Sequence, residues 1–157
     1  MSNQAYAASG VVPSAVPGAI TTIVPAVGRV LISTIFILSG LSKLAAPAMT
    51  IGYIQSVGLP LPPVAFGLAA FIEIVGGITL LLGYRTRIAA GVLFVFALAT
   101  AVAFHSHFGD QNQFIHFFKN IAIAGGLFQV ASFGAGSISI DGLRTKRHRR
   151  GRALSPA

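Results

Sequence analysis

Cysteine is absent from all 157 residues. That excludes a Cys-x-x-Cys redox pair, a thiolate-ligated metal and a covalently attached c-type haem in this chain. A bound quinone, or a partner protein that carries the thiols, stays open. Charge is almost as scarce. Charged residues make up 9% of the chain, where a soluble domain carries roughly a quarter. Acids are the rarest of these, being only Glu73, Asp110 and Asp141. So few polar groups cannot cover a water-facing surface, and lipid is the expected solvent.

The composition that remains fits this reading. Hydrophobic residues reach 54% and the mean hydropathy is +0.80. Four mostly apolar stretches run over residues 23–44, 64–82, 88–104 and 114–133, each near the length of about 18 residues that marks a spanning helix. Helices satisfy their own backbone hydrogen bonds without water. The sequence therefore predicts an all-α integral membrane bundle of four transmembrane helices.

The formal net charge is +8, and its distribution decides what it means. Six of the eleven basic residues fall in "LRTKRHRRGR", residues 143–152, two in the "GYRTR" link, and Arg29 near the start of the first span. Only Lys43 and Lys119 belong to the other side. That asymmetry follows the positive-inside rule and predicts a bacterial inner-membrane protein with N-terminus and C-terminus both cytoplasmic. Membrane lipids are the expected partners of the tail. Nucleic acid is not, since no aromatic platform or recognition helix accompanies the basic run.

Residues 1–22 hold no charged side chain and are rich in Ala, Ser, Gly and Pro, which predicts a flexible N-terminal arm. A cleavable signal would need a basic region first. Residues 23–141 form one membrane domain and residues 142–157 a basic cytoplasmic tail. The first outer loop, with prolines and Tyr53, is expected to lie compactly on the surface and to include a short interfacial helix.

Glu73 stands in "AAFIEIVGGITLLLG", the oiliest stretch. On a helix it shares a face with Ala69, Ala70, Gly76 and Gly77, small residues that permit close helix packing. Glu73 is thus expected to face the bundle interior. It lies ~14 Å below the outer edge of its span and Lys119 ~8 Å below its own. His116 and Asn120 are i, i+4 neighbours beside Lys119. Lys43 lies near the outer end of the first span and His105 closes the third. All four spans send a polar group into the outer half, and no comparable group is expected in the inner half. A central ionised side chain costs about 2.5–3.5 kcal/mol on insertion scales, so Glu73 is expected to be protonated or paired with Lys119 or Lys43. A structural ion pair that fixes helix register is the bland alternative. His105, His107, Asp110 and His116 could offer nitrogen and oxygen to a metal, or two of them could hold non-covalent haem. Unligated surface histidines are the expected reading, with no metal site.

Beyond these arguments, "GRVLISTIFILSGLSKL", "GYIQSVGLPLPP", "IEIVGGITLLLGYRTRIAA" and "FHSHFGDQNQFIHFFKNIAIAGGL" resemble successive segments of the DoxX family of small four-helix membrane proteins. The specific features are Gly40 and Lys43, Glu73 with Gly76 and Gly77, Arg87, and His116, Lys119 and Asn120. The resemblance covers residues from about Gly28 to Asp141. It implies membership in a group that includes subunits of a thiosulfate:quinone oxidoreductase, membrane partners in oxidative-stress complexes and candidate oxidoreductases. It carries no fixed catalytic set, so the site follows from depth alone. The expected catalytic residues are Glu73 as proton-exchanging acid, Lys119 as its charge partner and His116 as relay, with Lys43, His105 and Asn120 lining the ligand. No covalent cofactor is expected; quinone is the expected carrier, and a soluble or membrane redox protein or a second copy of the chain the expected partner. A non-catalytic scaffold or assembly subunit, and a proton-linked pathway for a small solute, are the competing readings.

Overall fold

The computed structural model describes residues 18–153, and every described element is helical. In chain order they are α1 (Gly18–Ala45), α2 (Pro47–Ser56), α3 (Pro62–Leu82), α4 (Thr86–His105), α5 (Gln111–Phe133) and α6 (Ile140–Ala153). Four of them, α1, α3, α4 and α5, are long and apolar enough to cross a membrane. The 21 residues of α3 and 20 of α4 reach ~30 Å, matching a hydrocarbon core. The short interfacial helix expected in the first outer loop is α2, begun by Pro47 and anchored by the buried Ile54.

α1 begins at Gly18, within the segment expected as an arm over residues 1–22, whose first 17 residues lie outside the described ones. The basic segment is helical through Ala153, and arginine and lysine are good helix formers.

The bundle is a ring. α1 lies along α3, α3 along α4, and α4 along α5, while α5 and α1 close it more thinly. Its centre is a small cluster that includes Phe36, Leu80, Leu93, Ala97 and Leu127. Outside it, Leu31, Phe71, Val95 and Phe128 are exposed, as expected of helix faces that meet lipid. Two adjacent glycines set the packing of α3. A Cβ at Gly77 would meet Ile37 Cγ1 of α1 at 2.8 Å, and one at Gly76 would meet Leu93 Cδ2 of α4 at 2.9 Å. At Gly40 of α1 an added Cβ would meet Ile74 Cγ1 at 2.6 Å and Glu73 Cβ at 3.2 Å. These contacts let α3 nest between its neighbours.

The bundle has two distinct ends. The cap end carries α2 and the α4–α5 loop. The turn end carries the three-residue α3–α4 turn, the start of α1 and α6.

Candidate functional site

At the cap end Glu73 is 5% exposed and meets α1 across the Gly40 contact. Lys43 Nζ donates to Glu73 Oε1 at 2.8 Å and to Ser39 Oγ at 2.8 Å. Ser39 Oγ donates to the same Oε1 at 3.0 Å. Ser39 and Lys43 are four apart on α1, so one helix face presents both donors. The second carboxylate oxygen, Oε2, is buried and has no hydrogen-bond partner. A buried polar atom without a partner is costly; Arg29 Nε, at the other end of the bundle, is the second such side-chain atom among the described residues.

A second polar group stands on α4 and α5. Gln113 Oε1 lies 2.7 Å from His105 Nδ1, and with the amide oxygen accepting, His105 carries its hydrogen on Nδ1. Lys119 Nζ lies 2.7 Å from His116 Nδ1; the ammonium donates, which places the imidazole hydrogen of His116 on Nε2. The two rings stack with centroids 5.2 Å apart, so a macrocycle would have to part them. Asp110 faces neither ring. It caps α5, with Oδ1 accepting from the N–H groups of Asn112 at 2.7 Å and Gln113 at 3.2 Å, a usual N-cap arrangement. Among the described residues no group of three His, Cys, Asp or Glu could hold a metal.

The geometry therefore divides the residues that depth had grouped. Glu73 takes Lys43, with Ser39 as an added donor that depth alone did not select. Lys119 is exposed and takes His116 instead. Asn120 is half-buried and enters none of these bonds. The reason is neighbour order: Lys43 lies on α1, which packs along α3, whereas Lys119 lies on α5, which packs along α4.

The turn end corrects a further expectation, that no comparable polar group lies there. Arg29 is 3% exposed. Its Nη1 donates to the carbonyls of Leu80 at 3.2 Å and Leu81 at 3.4 Å, and Nη2 donates to the carbonyl of Ile138. Those first two carbonyls belong to the last turn of α3, where a cation is favoured. Gly83 ends that helix at φ 66°, with Gly83 N–H on Leu80 O and Tyr84 N–H on Thr79 O. Asp141 then caps α4 from a distance in sequence. Its Oδ1 accepts from Arg85 N–H at 3.0 Å, and Oδ2 from Thr86 N–H and Thr86 Oγ1, both at 2.8 Å. Burial alone would push the Asp141 carboxyl up; the bonds from Thr86 and Arg85 and the charge of Arg144 outweigh it and hold it below the usual range. Arg85 adopts φ 43°, which costs of order 1 kcal/mol for a non-glycine residue, and the Asp141 bonds hold it there. The signals for this knot were a lone arginine early in a span and an aspartate just before the basic run.

The DoxX family model matches residues 24–106, more than half the chain and all of α3 and α4. The chain belongs to the DoxX family. The SURF4 family model overlaps it, matching residues 67–147. This DoxX-family chain is 36% identical to the Escherichia coli (strain K12) inner membrane protein YqjF over 77% of its own length and 92% of that protein's. It is 33% identical to inner membrane protein YphA of the same organism, over 79% and 92%. A shorter stretch, 47% of this chain and 53% of the other, is 42% identical to CatD of Bacillus subtilis (strain 168), named as a candidate oxidoreductase. No solved structure matches the chain. Family, length and four apolar helices agree: this is a multi-pass inner-membrane protein.

Proposed function

We propose that this chain is the membrane-embedded component of an oxidoreductase system, in which Glu73 exchanges a proton with a lipophilic quinone-class carrier. The observation that carries this reading is the divided state of the carboxylate. Oε1 is fixed by Lys43 and Ser39, while Oε2 is buried and free of partners. A group with a carbonyl or hydroxyl on a flat apolar body fits that donor set, since Oε2 can accept a hydrogen bond or, protonated, give one. When bound, the carrier supplies the electron chemistry, as cofactors do. The chain's part is to hold the acid at depth, keep water away and move one proton at Oε2.

Lys43 and Ser39 fix Oε1 and so set the orientation in which Oε2 is presented. His116 is the relay toward the aqueous side, with Lys119 bonded at its Nδ1 and His105 stacked on its ring. The turn end faces the cytoplasm in this reading, because Arg29, Arg85, Arg87 and the α6 cluster all lie there. The oxidoreductase name borne by CatD supports the general activity. A thiol-bearing redox protein, soluble or membrane-bound, is the partner this cysteine-free chain requires if thiols are its electron source.

Gentle purification of the full chain, followed by extraction and mass spectrometry of bound lipids, tests the reading. Quinone is expected with the wild type and at least tenfold less with Glu73→Ala, the effect of one lost charge-assisted bond of about 1.5–3 kcal/mol. Equal quinone in both, or none in the wild type, overturns it. None in the wild type together with a stable protein partner would favour a non-catalytic assembly subunit. The tight glycine contacts and the bonded turn end would serve that role equally well.

A further inference from the structure

Arg87 is one of the specific residues of the family resemblance, yet it lies at the opposite end from Glu73 and takes no part in that site. It opens onto a groove of about 560 Å³ between the start of α4, the end of α5 and α6. The polar rim is Arg85, Arg87 and Thr145, and the apolar side is Ile88 and Phe133. Both arginines are exposed, while Ile88 is 61% and Phe133 80% exposed. These two apolar side chains stand at the ends of membrane-crossing helices, where hydrocarbon meets headgroups. Gly134 floors the groove at φ 87°, with Arg87 Nε 3.5 Å from where its Cβ would be.

One feature of the lining opposes an anion. Asp141 contributes to the same wall, but its oxygens are already engaged by Arg85 N–H, Thr86 N–H and Thr86 Oγ1. Arg29 lies close enough to feel its charge. The carboxylate oxygens are thus turned toward the start of α4, and the two exposed arginines outnumber this one acid in the lining of the groove. Alongside, α6 presents Arg144, Arg147, His148 and Arg152 around a second, wholly basic hollow of about 800 Å³. Arg144 also lies over the Tyr84 ring at 4.7 Å, which ties α6 to the turn.

We propose that the groove beside Arg87 seats the headgroup of an anionic phospholipid. Arg85 and Arg87 meet its phosphate, and its acyl chains run down past Phe133 and Ile88. Charge complementarity selects the anionic head, and the adjoining exposed apolar pair selects a lipid over a soluble phosphate. The basic face of α6 draws anionic lipid to the region without binding one molecule in a fixed place. The proposal stands apart from the quinone reading, since it uses other residues at the other end.

Native mass spectrometry of the full chain in detergent, titrated with phosphatidylglycerol and with phosphatidylcholine, tests it. The wild type is expected to retain phosphatidylglycerol preferentially. Arg85→Gln with Arg87→Gln should weaken that retention by roughly fivefold per arginine, the factor equivalent to about 1 kcal/mol for each basic group at a membrane surface. Arg147→Gln with Arg152→Gln on α6 should change it by less than the groove pair. Arg87→Gln alone, checked for an unchanged melting temperature, guards against misfolding. Equal retention of the two lipids overturns the proposal. An effect of the α6 pair as large as that of the groove pair overturns it too, as does displacement of the lipid by inorganic phosphate. An Arg87→Gln variant that melts lower with unchanged lipid preference would assign Arg87 to holding the end of α5 instead.

Discussion

The two ends of the bundle treat their polar groups differently. At the turn end Asp141 has both oxygens bonded and fixes the start of α4, and Arg29 spans three carbonyls from α3 and the segment before α6. At the cap end Lys43 and Ser39 bind one oxygen of Glu73, and Lys119 bonds His116 along α5 while His116 stacks on His105 of α4. Among the described residues each end keeps one buried side-chain polar atom without a partner, Arg29 Nε and Glu73 Oε2. The ends differ in how many segments their bonds tie together. The turn end joins α1, α3, α4 and the approach to α6, where each bond lost strands a buried group, whereas the bonds of Glu73 join α1 to α3 alone.

Breaking the turn end should therefore cost the most. Arg29→Leu removes the donors to the Leu80, Leu81 and Ile138 carbonyls at once. At about 1.5–3 kcal/mol for a hydrogen bond to a charged group, a loss of more than ~3 kcal/mol is expected. Thermal unfolding in detergent measures it, and a melting temperature close to the wild type would contradict the ranking. Next comes Asp141→Ala, which uncaps α4 and releases Arg85 from its left-handed conformation. Loss of a cap alone costs typically ~1 and up to ~2 kcal/mol.

Asp141 also makes the comparison pH-dependent. Its folded carboxyl is held below the ordinary range, so its contribution is fully present above the unfolded value of about 3.9. It is lost as pH falls through the lower folded value. The melting temperature should drop on acidification into that window, and Asp141→Asn should flatten the drop. An unchanged acid profile in the variant would remove Asp141 from the account.

How much of this the sequence showed depends on what each argument could resolve. Hydropathy along the chain located the four spans, because lipid selects length and apolarity and both are linear properties. The prolines of the first outer loop likewise announced α2. Depth along each span placed Glu73, Lys43, His105, His116 and Lys119 toward one end. Depth carries no information on neighbour order, however, and that order gave Glu73 to Lys43 and not to Lys119. Ser39 escaped notice because a serine on a small-residue face reads as packing. Arg29 and Asp141 escaped because a lone basic residue reads as topology and a boundary acid reads as nothing. Only the chain's return through Ile138–Asp141 brings them to the turn.

At the cap end the effects should be smaller and should separate the two polar groups. In a double-mutant cycle of Lys43→Met and Glu73→Gln, coupling of about 1–2 kcal/mol is expected, between an exposed pair and a fully buried one. The half-buried lysine, its side chain 25% exposed, sets that intermediate value. Coupling near zero would mean that the pair is incidental.

The smallest effect belongs to Lys119. It is exposed, and its bond to His116 runs between residues three apart on one helix, a geometry worth only a few tenths of a kcal/mol. Lys119→Ala should therefore shift unfolding by less than ~0.5 kcal/mol. It should also show no coupling to Glu73→Gln, because the two belong to different helix pairs. A measurable coupling between Lys119 and Glu73 would instead join the two cap-end groups into one site, and the division drawn between α1–α3 and α4–α5 would fail.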